Sequence, residues 1–151
     1  MPEKTNANNL FEVNIVDIRK NLKEEYLRQS IMTASPGELT VMLFNGCIKD
    51  LRLAEVAMEE PADLLKVNEY LIKAQKILSE LMSSLDLSYE LSGQLLPIYS
   101  YLLREIRHMN VKKDFSKMPE ILNILSSQRD TWEQVTKVGS AGEDWRTASE
   151  Q

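Results

Sequence analysis

The chain has 151 residues, enough to bury one core without disulfides or metals to staple it. A net charge of −5, with no stripe of Lys or Arg, argues against a nucleic-acid surface; no signal-peptide pattern and no run of 18 apolar residues is present, which argues against membrane insertion. The single cysteine excludes an internal disulfide and fits a reducing, cytoplasmic setting.

Composition favours helix. Only five Gly and five Pro punctuate a chain dominated by Leu, Glu, Lys, Ala and Met. Residues 1–8 are polar and read as a loose start. Asn9 followed by Glu12 forms a capping box, after which Phe11, Ile15, Ile18, Leu22 and Tyr26 recur at helical spacing, predicting an amphipathic helix over residues 10–29. Ser35 and Glu38 make a second capping box with Pro36 at the first helical position, and the helix they open runs to Met58, where Glu59-Glu60-Pro61 stops it. That helix carries two apolar stripes, one of Leu39, Leu43, Cys47, Leu51 and Ala54, the other of Val41, Phe44, Ile48 and Val56. A surface helix needs one stripe; a second implies a central place in a bundle or a partner on the other face.

Leu64, Val67, Leu71, Ala74, Leu78, Leu81 and Leu85 alternate by three and four, a seam suited to shallow-angle packing. Residues 83–88 read as a turn with a new cap. Leu91, Leu95, Ile98, Leu102 and Ile106 face the core of the next helix, broadened by Tyr99 and Leu103, and Pro97 inside it predicts a kink or a split. After a connection at residues 110–114, a last helix begins near residues 116–119, carries Ile121, Leu125, Trp132 and Val135, and has Gly139 as its expected stop. Residues 140–151 read as a disordered polar tail in which Trp145 has no evident purpose. The pattern is all-α: an antiparallel four-helix bundle over residues 31–138, an additional N-terminal helix or arm over residues 1–30, and a tail over residues 139–151.

Little enzyme chemistry is on offer. Glu105 and His108 have the Glu-x-x-His spacing of carboxylate-bridged metal bundles, but such a site needs a second motif and further carboxylates, and the chain has one histidine. Cys47 sits among Leu43, Ile48 and Leu51 with no base beside it, so a buried structural thiol is the favoured reading. The glycines, at 37, 46, 93, 139 and 142, form no phosphate loop. No metal, cofactor or catalytic group is expected. Gly46, in mid-helix, suggests close approach of another backbone, either a bundle neighbour or a client helix in a groove. Tyr99 and Tyr101 point in different directions, so at most one is deep core. Arg129 and Trp132 share a face, with Trp132 read as a bundle-end plug under the Arg129 stem, or Arg129 and Asp130 as register-setting pairs.

Three strings bring in a family. Residues 32–46, MTASPGELTVMLFNG, resemble the "TASPxELxxMLYDG" signature of the flagellin-specific export chaperones, the FliS family. Residues 95–103, LLPIYSYLL, and 125–135, LSSQRDTWEQV, resemble its later "LxxLYxYM" and "LRDTW" segments in the right order. The chain departs from the pattern in Phe44-Asn45 for Tyr-Asp, in Pro97, and in a longer segment before Tyr26. The resemblance implies a cytoplasmic chaperone that holds the C-terminal segment of flagellin in apolar grooves, with export-gate components as further candidate partners and no catalysis. It places Tyr26 in an arm that covers part of the groove until flagellin displaces it. The candidate partner-binding residues are Tyr26, Ile31, Leu39, Leu43, Gly46, Cys47, Tyr99, Leu102, Arg129 and Trp132. The other reading of the same pattern is a bundle that only self-associates, an adaptor without an export role, or a homodimer in the absence of client.

Overall fold

The computed structural model describes the backbone of residues 7–149 and the side chains of residues 19–137. It holds five helices in order: α1 (Ala7–Thr33), α2 (Pro36–Met58), α3 (Leu64–Ser83), α4 (Glu90–Lys112) and α5 (Met118–Ser149). The chain divides into two units at Ser35/Pro36, α1 in the first and α2–α5 in the second. No strand occurs among the described residues, and no helix among them is long and apolar enough to cross a membrane.

Helix α1 starts at Ala7, two residues ahead of the expected Asn9 cap, and runs on to Thr33 because neither Gly nor Pro interrupts it. Near its end the Ser30 and Thr33 hydroxyls donate to the carbonyls of Tyr26 and Gln29, one turn back. Pro36 then forbids continuation, since the residue before a proline is pushed out of the helical region. Leu22, Tyr26, Leu27, Ile31 and Met32 stand exposed along α1. Phe11, Ile15 and Ile18, predicted to share that stripe, have side chains outside the described residues.

The second unit is the antiparallel four-helix bundle. Its connections span residues 59–63, 84–89 and 113–117, short enough to make each helix run against the last. Helix α2 packs on both α3 and α5, and α3 packs on α4. The two-striped helix thus has a neighbour for each stripe, α3 and α5. Phe44, Cys47, Ile48, Leu51 and Ala54 are its buried residues. The α3 seam buries Val67, Leu71, Ala74, Leu78 and Leu81 as its spacing demands. Each fully buried leucine contributes about 1.5–3 kcal/mol. Across the centre, the Phe44 and Tyr99 rings meet edge to face at 5.8 Å, tying α2 to α4.

Helix ends are held locally. The Asp63 carboxylate accepts from the Lys66 N–H at 3.2 Å and caps α3. Asp86 accepts from the Ser88 N–H at 3.0 Å, turning the chain into α4. Lys113 ends α4 in the left-handed region at φ 53°, where glycine is usual.

Of the two outcomes expected at Pro97, the split does not occur: α4 runs as one helix from Glu90 to Lys112. Pro97 and Gly93, whose carbonyl loses its donor, are both exposed, so water replaces the missing bond. Of the expected face, Tyr99, Leu102, Leu103 and Ile106 are buried and Leu95 and Ile98 pack against the core; only Leu91 is exposed, while Ser92 and Met109 join the buried set. Helix α5 passes through Gly139 to Ser149 without the stop predicted there. The side chains beyond residue 137, Trp145 included, lie outside the described residues.

Candidate functional site

The two ends of the bundle differ. At the end where α2 begins, α3 finishes, α4 begins and α5 passes, the helices splay around a cleft of about 420 Å³. Its walls are Leu39 and Leu43 from α2, Leu81 and Leu85 from α3 and its following turn, and Trp132 from α5. Tyr99 and Ser92 of α4 complete the lining, and Glu80 and Asp86 are its charged members. The opposite end is closed in its core by Met109 and Met118, both about 1% exposed, with a smaller pocket of about 260 Å³ beside them that is lined by Arg104, Glu105, His108 and Lys117. There the Asn110 amide donates to Asn68 at 2.9 Å, and Lys113 Nζ donates to the Asn110 carbonyl at 2.7 Å.

One wall of the cleft includes a close approach of two helices. At Gly37, on the first turn of α2, a Cβ would collide with the Thr136 side chain of α5. Only a residue without a side chain lets the start of α2 lie against α5 there. Beside that contact the Trp132 indole N–H donates to the Tyr99 hydroxyl at 3.1 Å, linking α5 to α4. Burial pushes the Tyr99 phenol pKa up, against a smaller opposing effect of the bond from Trp132.

Leu39, Leu43, Tyr99 and Trp132, four of the ten candidate residues, meet in this cleft. Cys47 and Leu102 are fully buried in the core and present no surface. The Cys47 thiol donates weakly to the Ala74 carbonyl of α3, and burial, with Asp50 adding to it, pushes its pKa up to about 12. Gly46 faces α3, but what lies against it is the Ile77 methyl at 3.4 Å and not a backbone. Arg129 reaches from α5 to α2. Its guanidinium donates to Asn45 of α2 and to Asp130, each at 3.2 Å. Tyr26 and Ile31 belong to α1 and are exposed there. Glu105, the carboxylate of the Glu-x-x-His spacing, pairs with Lys117 at 3.1 Å, and among the described residues no group of three His, Cys, Asp or Glu converges as metal ligands would.

Gly37, Ser92, Leu85 and Tyr89 line the cleft and were not singled out from the sequence. For Gly37 a signal existed, a glycine directly behind a helix-opening proline. A second, shallower groove lies between α4 and α5, lined by Pro97, Ile98, Tyr101, Ile124 and Gln128. At its edge the Tyr101 hydroxyl donates to Glu120 at 3.1 Å, and Gln128 Oε1 is buried without a donor.

Comparison with known proteins draws one family. The model of the family described as flagellar protein FliS matches residues 19–139, a span holding most of α1 and every cleft residue. The flagellar secretion chaperone FliS of Bacillus subtilis (strain 168) is 42% identical over 109 residues, covering 72% of this chain and 81% of that protein. The proteins of the same description from Salmonella typhimurium and Escherichia coli (strain K12) are 29% and 30% identical. These two alignments cover 76% and 72% of this chain, and 86% and 81% of those proteins.

Proposed function

Because the chain belongs to the flagellar protein FliS family, we propose that it is a cytoplasmic flagellar export chaperone that binds the C-terminal segment of flagellin without catalysis, and keeps it from polymerising before secretion. The observation that carries the reading is the open apolar end of the bundle. Leu39, Leu43, Leu81, Leu85 and Trp132 surround a space that a helix face with large apolar side chains fills. The α4–α5 groove offers a further stretch of apolar surface to a client long enough to reach it. An unstructured client gives up conformational freedom when it docks, and extended apolar contact is what offsets that loss.

The test is titration calorimetry with the flagellin C-terminal segment, alongside size-exclusion chromatography of the mixture. A one-to-one complex is expected. Leu39→Glu, a half-buried residue of the cleft wall, is expected to abolish binding while leaving the helical signal and the melt of the free chain close to wild type. If the segment fails to bind and the chain instead runs as a dimer at all concentrations, the reading as a self-associating adaptor takes its place.

A further inference from the structure

Several of the described hydroxyls bond back along their own helix. Thr40, Ser79, Ser83, Thr131 and Thr136 each donate to the carbonyl four residues back in their own helix. Such bonds are the ordinary way a helix absorbs a hydroxyl. Ser92 has no such recourse. It sits in the first turn of α4, so the residue four positions back, Ser88, lies outside the helix. Its hydroxyl has no hydrogen-bond partner among the described residues, although Ser92 is only 7% exposed and is the one buried polar residue among them. Tyr99, seven residues on, lies on the same face of α4. Its oxygen accepts from Trp132, while its own proton has no acceptor among the described residues. A tyrosine hydroxyl can do both at once.

From this pair, and resting on the flagellin reading above, we infer that Ser92 and Tyr99 are specificity-determining residues that hydrogen-bond neutral carboxamide side chains, Asn or Gln, on the docked face of the client. Residues 92 and 99 stand about 10.5 Å apart along the α4 axis, close to two helical turns. That spacing matches carboxamides seven residues apart on a client helix laid along α4. The charge of the lining selects the neutral group. Glu80 and Asp86 contribute carboxylates and no Lys, Arg or His lines the cleft, so an incoming Asp or Glu meets like charge without a counter-ion. An apolar side chain in the same place strands both hydroxyls away from water, whereas a carboxamide satisfies them. Leucine walls supply adhesion and the two hydroxyls fix the register.

Ser92→Ala separates this role from a structural one. Removing a hydroxyl that bonds to no other protein group and is not cut off from solvent leaves the free chain about as stable as wild type. The affinity for the flagellin C-terminal segment, measured by calorimetry, is expected to fall three- to ten-fold. Tyr99→Phe is expected to weaken binding to a similar degree and also to lower the melt, because Trp132 loses its acceptor. Exchanging the client's Asn and Gln residues for Leu one at a time identifies the partner: one exchange weakens binding to the wild type and has no further effect on the Ser92→Ala variant. Full affinity in Ser92→Ala, with the wild type binding normally, overturns the inference and leaves the chaperone reading standing. A destabilised Ser92→Ala free chain overturns it as well, by showing the hydroxyl to be structural. Failure of the wild type to bind the segment removes both.

Discussion

The closed end of the bundle and the open end are built from the same four helices and do opposite things with their side chains. At the closed end Met109 and Met118 fill the space between helices, and Asn68, Asn110 and Lys113 tie α3, α4 and the following turn together over them. At the open end the residues of matching depth, Leu39, Leu43 and Leu85, stay half-buried around empty volume. Local stability and an open apolar surface draw on the same groups, and each end commits them to one of the two.

Truncation breaks the comparison most sharply. Met118→Ala at the closed end is expected to cost about 2–4 kcal/mol, since a fully packed site cannot collapse onto the gap. Leu39→Ala at the open end is expected to cost under about 1 kcal/mol while weakening client binding. Urea melts of the two variants read the first difference and calorimetry the second. Equal losses at both ends mean that the open end is packed in solution.

The two glycines of α2 divide in the same way. Gly37→Ala forces Thr136 and the start of α2 apart, and is expected to cost about 1–3 kcal/mol. Gly46→Ala meets only the end of Ile77 and is expected to gain about 0.5–1 kcal/mol from helix propensity, whereas Gly46→Leu displaces Ile77 and loses stability. Thermal melts of the three variants decide it. A destabilised Gly46→Ala restores the idea that a backbone comes close there.

The smallest effect concerns Cys47, midway between the ends. Its thiol has a folded pKa of about 12 against 9.0 for the model group, so folding favours the protonated form. That contribution is fully present below pH 9 and is lost as pH rises from 9 towards 12. Between pH 8 and 9.5 the loss is about 1 kcal/mol or less. Comparing the pH dependence of urea midpoints for wild type and Cys47→Ala isolates it. A buried thiol of this kind is also expected to resist alkylating reagents until the chain unfolds. Fast labelling of the native chain at neutral pH contradicts the assignment.

What periodicity could report, the sequence reported. The α3 seam repeats by three and four with no competing residue, and five of its seven members are buried. The bounds of α2 follow from Pro36 at one end and Pro61 beyond the other. The α4 face was legible too, apart from Leu91 at its first turn, which the stripe includes and the bundle leaves exposed. Close approach was illegible. Whether a glycine is needed depends on the helix opposite, and nothing in the residues around Gly46 or Gly37 names Ile77 or Thr136. Within the candidate site, the strings that carry the family resemblance also carry Leu39, Leu43, Tyr99 and Trp132. Ser92 lies in none of them, and its importance appears only once its lack of a partner can be seen.

Trp132 has a further consequence, of an optical kind. An indole at the wall of a water-filled cleft emits at longer wavelength than one in a dry interior, so a client that displaces the water shifts its fluorescence to the blue. The chain has one other tryptophan, Trp145, and Trp145→Phe leaves Trp132 as the sole emitter. The bond from its N–H to Tyr99 also holds the ring within energy-transfer range of a phenol donor. If the cleft is where the client docks, the bundle carries its own reporter of occupancy and needs no dye to follow binding on the timescale of mixing.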